Sequence, residues 1–240
     1  MTRSWCATPA VIGTPKHFVA DGAAEWGTSE HPDGWQIDQG DTSITEQELR
    51  EVHMAPYADL IDAGARTIMG SYSSWQGERV HGRQDVMTGL LRDELGFEGL
   101  LLSDGGAVDQ IDDDYATAVV TAVNAGVGMN MVPHDARRWI STLEGAIADG
   151  EVSEERIDEA VERILTVKFE IGLFEQPFAQ RDLPEQVGSE AHRALAREAA
   201  RASVTTLVGG ELFPLATDAG RVVVSGQGAD DVGMQAGAAG

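Results

Sequence analysis

The chain has 240 residues, of which 42% are hydrophobic and 24% charged, so it can bury a core and is not a disordered tail. Its 40 Asp and Glu residues against 17 Lys and Arg residues give a formal net charge of -23, which repels phosphate backbones and argues against nucleic-acid binding. No stretch reaches the roughly 18 consecutive apolar residues of a membrane-spanning helix, so no membrane span is expected.

The cysteine content and the first residues bear on the compartment. Cys6 is the only cysteine, so no internal disulfide bond can form. The cysteine content therefore does not indicate whether the compartment is oxidising or reducing. The start of the chain has no apolar core long enough for a signal peptide, so we expect any export signal to lie outside this chain. A periplasmic or extracellular location is expected for the parent protein, and a cytoplasmic one stays open.

Short apolar segments alternate with longer segments of helical periodicity. The predicted strands, in chain order, are Ala10–Phe18, a short strand within 66–75 ("RTIMGSYSSW") that ends in a polar loop, 99–104 ("GLLLSD") and 127–133 ("VGMNMVP"). The predicted helices are 43–64, 83–96, Asp114–Asn124, 135–150, 153–173 and Ser189–Ser203. A capping box of Ser43 and Glu46 is expected to start the first helix, and Gly64 to end it.

This alternation predicts βαβ crossovers and a parallel sheet. Four strand–helix units are found, whereas a closed (β/α)₈ barrel needs eight. A further apolar run at 221–225 ("RVVVS") predicts a new strand near the end. The expected fold class is therefore α/β, in a chain cut at both ends.

Polar side chains follow the predicted strands, where parallel sheets carry their chemistry. They are Lys16 and His17, Ser71 and Tyr72, Ser103 and Asp104, and His134. Asp104 is the foremost candidate because Gly105 and Gly106 leave room for a substrate beside it. The alternative is that Asp104 caps the next helix, although 112–114 supply three aspartates nearer its start.

The other candidates each have a structural alternative. Lys16 and His17 suit hydroxyl or phosphate binding, or form an ordinary loop pair. Tyr72 and Trp75 could hold a ligand face or cover the rim of the sheet. The His, Cys and Asp residues show no metal-ligand spacing, so no metal site is expected.

Several blocks in fixed order resemble glycoside hydrolase family three, in its β-glucosidase and exo-β-glucanase branch. They include "PKHFVADG", "LLRDELGFEGLLLSDGGAVDQI", "NAGVGMNMVP" and "RIDEAVERILTVKFEIGLFEQP". The resemblance runs from about Val11 to Gly237. It implies the later half of a (β/α)₈-type barrel at 1–175, a linker with a helix at 176–219, and the first strand of a truncated α/β sandwich domain at 220–240.

The resemblance also implies roles for particular residues. Asp104 matches the catalytic nucleophile, Lys16 and His17 match a pair that binds sugar hydroxyls, and Tyr72 matches a tyrosine beside the nucleophile. Met69 and Met131 match residues near the sugar pocket, whereas their position within strands favours a core role. Two positions depart from the family: Gly105 stands where Trp is usual, and Gln110 where Arg is usual.

The expected activity is that of a retaining hydrolase which releases terminal β-D-glucose from β-glucosides or short β-glucans, with no cofactor. The acid that protonates the leaving group is expected in the missing second domain. The alternative is an inactive remnant or carbohydrate-binding fragment, whose exposed strand edges favour a complementing chain or a homo-oligomer. A β-N-acetylglucosaminidase of the same family is a further alternative, although its His-Asp motif is absent from the loop after "KHF".

Overall fold

The computed structural model describes residues 11–178, 186–208 and 213–235. Its strands are β1 (Asp41–Thr42), β2 (Thr67–Met69), β3 (Ser74–Trp75), β4 (Glu78–Arg79) and β5 (Leu100–Leu102). Its helices are α1 (Glu46–Glu48), π1 (Leu49–Met54), α2 (Ala55–Asp62), π2 (Asp85–Glu94), α3 (Tyr115–Ala125), α4 (Ala136–Ala148), α5 (Glu154–Glu170), α6 (Glu190–Ser203) and α7 (Val232–Gln235). The described residues divide into two compact units between residues 179 and 180.

The first unit is organised around parallel segments that follow one another in chain order. Strands β2 and β5 pair in parallel, with Thr67 opposite Leu100. Parallel bridges extend this pair on both sides, from Phe18 to Gly70 and from Leu102 to Met129. The sheet order is therefore 15–18, β2, β5 and 127–131, which confirms the predicted α/β alternation with parallel pairing.

The two outer segments are less regular than predicted. Residues 11–18 and 127–133 each make a single bridge and form no named strand; Ala10, the first residue of the predicted strand, lies outside the described residues. The short strand predicted within 66–75 is confirmed as β2, and it ends at Met69, where the expected polar loop begins. The chain turns where the Ser73 N–H donates to Ser71 Oγ, and it re-enters a second small sheet of β1, β3 and β4.

The first helical segment begins later than predicted and changes its pitch. Thr45, not Ser43, is the N-cap, since its Oγ1 accepts a 3.2 Å hydrogen bond from the Glu48 N–H. The Ser43 hydroxyl is engaged elsewhere, as a donor to Glu25. The wide turns of π1 precede Pro56, which has no N–H for the regular ladder.

The later helices agree with their predicted bounds. Asp114, Ser153 and Ser189 are the N-caps of α3, α5 and α6, and each side chain accepts from the backbone N–H three residues later. Gly126 ends α3 with φ of 118°, a conformation that favours glycine. The sequence predicts these helix ends because each depends on a capping residue that lies next to the helix in the chain.

Three apolar clusters hold the first unit together; Val108, Ala118, Ala122 and Val127 form one of them, and the other two are more extensive. The larger lies between the sheet and the helices that follow its strands, with Phe18, Leu49, Ile68, Met87, Leu91, Phe97 and Leu101 among its fully buried members. The second joins α3 to α4 and to the start of α5 through Val119, Val123, Ala146 and Val152. These contacts fix the strand ends that carry the candidate site.

The second unit contains α6 and the short α7. The predicted strand at 221–225 is not formed, because these residues are exposed and make no bridge with any other described residue. Cys6 and Ala10 fall outside the described residues. No helix in the described part of the chain is both long and apolar enough to cross a membrane.

Candidate active site

Asp104 lies two residues beyond β5, at the carboxyl edge of the parallel sheet. Its Oδ1 accepts a 2.6 Å hydrogen bond from the Gly105 N–H. Its side chain is 26% exposed, so solvent or a ligand can reach it. Helix α3 is capped by Asp114, whose Oδ1 accepts from the Thr117 N–H at 2.8 Å. The capping alternative for Asp104 is therefore wrong, and its carboxylate faces the site.

His17 is the residue that the fold brings against this carboxylate. Its Nε2 lies 3.2 Å from Asp104 Oδ2, although the two residues belong to the first and third segments of the sheet. Its Nδ1 lies 3.2 Å from Oδ2 of Asp21. The imidazole is thus held between two carboxylates.

His81 is a site residue that the sequence did not reveal. Its Nε2 accepts a 3.0 Å hydrogen bond from the Asp104 N–H, and its side chain is fully buried. Burial lowers the pKa of His81 from 6.5 to about 4, against the opposing effect of the Asp104 charge and a hydrogen bond with the Ser71 backbone. A neutral imidazole therefore holds the backbone of Asp104 through this hydrogen bond.

Ser103 joins the end of β5 to the fourth segment. Its buried hydroxyl donates to Asn130 Oδ1 at 2.7 Å and accepts from the Met131 N–H at 2.8 Å. The Gly106 N–H also donates to the Met131 carbonyl, at 3.0 Å. The loop that carries Asp104 is therefore fastened on the side of Met131 as well.

The Tyr72 hydroxyl lies close to the loop that carries Asp104, at Gly106. A Cβ placed on Gly106 would be 3.6 Å from the Tyr72 hydroxyl oxygen. Gln110 Nε2 donates to that hydroxyl at 3.4 Å and to Gln39 Oε1 at 2.9 Å. Burial raises the pKa of Tyr72, and the negative charges of Asp104 and Asp109 add to the effect. The phenol therefore lies beside the loop that carries Asp104.

Of the remaining predicted site residues, some lie close to the loop that carries Asp104 and others do not. Met131 is 42% exposed, and its Sδ lies 3.7 Å from where a Cβ of Gly105 would stand. Met69 is 8% exposed and lies within β2, and Lys16 is exposed next to His17. Trp75 is buried in the second sheet, where its Nε1 donates to the Ile44 carbonyl at 2.9 Å, so it does not form an open ligand face.

The loop after His17 supplies two further residues that the sequence analysis missed. Asp21 stands at its start and contacts His17, and Gln39 stands near its end and contacts Gln110, which also contacts Tyr72. The only signal was their polarity in a Gly- and Asp-rich loop. Among the described residues, no group of three or more His, Cys, Asp or Glu side chains is arranged to hold a metal ion.

Comparison with known proteins shows which family this chain is similar to. Residues 3–167 match the family model "Glycosyl hydrolase family 3 N terminal domain". The periplasmic beta-glucosidase of Salmonella typhimurium is 32% identical over 233 residues, which cover 92% of this chain and 29% of that protein. The chain thus spans less than a third of the length of this relative.

Solved structures show the same similarity. The exo-1,3/1,4-beta-glucanase of a Pseudoalteromonas species superposes with a TM-score of 0.72 at 35% identity, over 82% of this chain and 24% of that one. A beta-glucosidase of Listeria innocua in complex with glucose gives a TM-score of 0.70 at 29% identity, over 82% of this chain and 26% of the other.

Proposed function

The chain belongs to glycosyl hydrolase family 3, and from this premise we propose that it carries the nucleophile of a retaining β-glucosidase. The substrate class is a β-glucoside or a short β-glucan, and the product is terminal β-D-glucose. The observation that carries the proposal is the position of Asp104, a partly exposed carboxylate at the carboxyl end of β5 with Nε2 of His17 at 3.2 Å from its Oδ2.

The proposed reaction has two steps. An Asp104 oxygen attacks the anomeric carbon, an ester bond forms, and the bond to the leaving oxygen breaks as a carboxylic acid protonates it. Water then attacks the same carbon, the resulting carboxylate of the acid takes the proton, and Asp104 is released. The acid is not assigned to any described residue, and no cofactor takes part.

The surrounding residues have separate proposed roles. The Lys16 ammonium and His17 Nε2 donate to sugar hydroxyls. The Tyr72 hydroxyl lies beside the attacking carboxylate, and Met131 offers a soft apolar surface next to Gly105. Met69 is buried in β2 and supports the floor of the pocket. We place the reaction in the periplasm, the compartment that the name of the Salmonella relative gives, or outside the cell.

A covalent trap tests the nucleophile without depending on the acid. Dinitrophenolate leaves a dinitrophenyl 2-deoxy-2-fluoro-β-D-glucoside without protonation, and the fluorine slows hydrolysis of the ester. We expect one fluoroglucosyl group per chain, located by peptide mass spectrometry on Asp104. A label on another side chain would overturn the proposal.

Two variants complete the experiment. Asp104→Asn should reduce the rate of labelling by about a thousandfold or more, because an amide is a poor nucleophile. Asp113→Asn is the matched control, since Asp113 is exposed and lies beyond the site loop. A protein that binds glucose reversibly but never acquires a label would be a carbohydrate-binding protein instead.

A further inference from the structure

We infer that Asp21 is a positioning residue, which holds the His17 ring so that Nε2 faces Asp104. The inference concerns how the site is built and rests on the proposed role of Asp104 as nucleophile. It is carried by the contacts of Asp21, which the proposed reaction does not use.

The geometry places one imidazole between two acceptors. Nδ1 of His17 lies 3.2 Å from Asp21 Oδ2, and Nε2 lies 3.2 Å from Asp104 Oδ2. A carboxylate can only accept hydrogen bonds, so both contacts are satisfied when both ring nitrogens carry hydrogen. Asp21 therefore fixes the orientation of the ring and also which of its atoms is presented to Asp104.

Asp21 is itself held on its other side. Its Oδ1 accepts a 3.3 Å hydrogen bond from the Ser71 hydroxyl, which is fully buried and also contacts Ser73. The Ser71 N–H donates to the Phe18 carbonyl, so the same residue ties the first two segments of the sheet together. The carboxylate that supports His17 is thus anchored to the end of β2.

The backbone is bent to make this contact. Ala20 has φ of 65° and ψ of 24°, the left-handed conformation that few residues other than glycine adopt. This conformation turns the chain so that Asp21 returns to His17, four residues earlier. Backbone strain of this kind is typical of functional sites.

The consequence for catalysis is a ring that keeps its place when a sugar enters. Nε2 must donate to a hydroxyl while Asp104 Oδ2 is released to attack. Without Asp21, the ring is free to rotate about its side-chain bonds, and the attack geometry is formed less often. Small misplacements of this kind cost about tenfold to a hundredfold in rate.

The test compares Asp21→Leu, which removes both acceptors, with Asp21→Asn, which keeps an oxygen for Nδ1–H and an amide for Ser71. The rate of labelling by the fluoroglucoside at saturation is expected to fall about tenfold to a hundredfold in Asp21→Leu. In Asp21→Asn we expect a smaller loss. The half-saturating concentration should change less than the rate.

A matched control is available in the same loop. Asp33 Oδ2 lies 3.7 Å from His31 Nδ1, and Asp33 is 70% exposed. Asp33→Asn should leave the labelling rate unchanged, because this second Asp–His pair has no contact with Asp104. If Asp33→Asn lowered the labelling rate as much as Asp21→Leu does, the inference would be overturned, because any change in this loop would then have the same effect.

Nitrogen NMR of the histidine rings gives a second readout that does not need the reaction. The His17 signals, assigned by comparison with His17→Gln, should shift in Asp21→Leu, because the contact of Nδ1 with Asp21 is lost. Unchanged signals, or labelling at the unmodified rate, would overturn the inference. If the unmodified protein is labelled elsewhere than Asp104, the proposed function fails while the NMR result still decides the role of Asp21.

Discussion

The backbone N–H of Asp104 donates a 3.0 Å hydrogen bond to Nε2 of His81. Because Nε2 of His81 accepts this hydrogen bond, it carries no hydrogen and the ring is neutral. Burial agrees with this, since it lowers the pKa of His81 to about 4. The residue proposed to attack the sugar is thus fixed through its main chain by a buried side chain, and its carboxylate remains open to the site.

The first prediction concerns stability against pH. The pKa of His81 is about 4 in the folded protein and 6.5 as its ordinary value, so the unfolded chain takes up the proton first as the pH falls. The stabilisation is complete above pH 6.5 and is lost between that value and pH 4. The full loss is about 3 kcal/mol in the free energy of unfolding.

Urea unfolding at a series of pH values, followed by tryptophan fluorescence, measures this slope. His81→Gln keeps an acceptor but does not titrate, so its stability should fall less steeply with pH than that of the unmodified protein. His134→Gln, at an exposed position, should retain the unmodified slope. Equal slopes in all three proteins would show that His81 does not titrate as expected.

The second prediction links Tyr72 to Asp104. Burial and then the Asp104 charge raise the pKa of Tyr72. Asp104→Asn removes that charge and leaves the burial, so the pKa of Tyr72 should fall but stay above its ordinary value. NMR titration of ring-labelled tyrosine, with Tyr72→Phe to identify the signal, measures the change. An unchanged pKa would mean that the two groups are not electrostatically coupled.

The third prediction distinguishes the two glycines beside Asp104. Gly106 has φ of 74°, so Gly106→Ala should destabilise the fold by about 1 kcal/mol. At Gly105, whose φ lies outside that region, a Cβ would meet Met131 Sδ at an ordinary 3.7 Å. Gly105→Ala should therefore change the stability by less than about 0.5 kcal/mol. Equal costs in urea unfolding would contradict this assignment.

The fourth prediction concerns Arg156, which joins α5 to the end of α3. Its Nε donates to the Val123 carbonyl and its Nη2 to the Val127 carbonyl, both at 2.9 Å. Arg156→Lys keeps the charge but loses the fork that reaches two acceptors, so it should lower the free energy of unfolding by about 1 to 3 kcal/mol. Arg137→Lys, on an exposed face of α4, is the control and should leave stability unchanged in the same urea titration.

The sequence predicts what depends on neighbours along the chain. The helix bounds around Ser153, Ser189 and Gly126 follow from caps, and Asp104 follows from a run of leucines that ends in a carboxylate. Asp114 lies nearer the helix start, so the sequence offers a cap other than Asp104 but leaves the two roles of Asp104 open. The resemblance to family three, carried by several motifs in order, added the family and the expected role of that residue.

The contacts that complete the site were not predictable in this way. His81 supports Asp104 across 23 residues of chain, and neither residue's local pattern signals the other. Asp21 and Gln39 lie in an irregular loop, where no periodicity indicates which side chains turn inward. The N-cap at Thr45 instead of Ser43 has a similar origin, since the Ser43 hydroxyl is drawn to Glu25, 18 residues away.

The order of the parallel segments has a consequence for how the site comes into being. His17 lies on the first segment and Asp104 follows the third, with β2 between them. On a ribosome, which delivers the chain from its amino end, the imidazole emerges long before its carboxylate partner. The contact between His17 and Asp104 can therefore form only after the third segment has been synthesised.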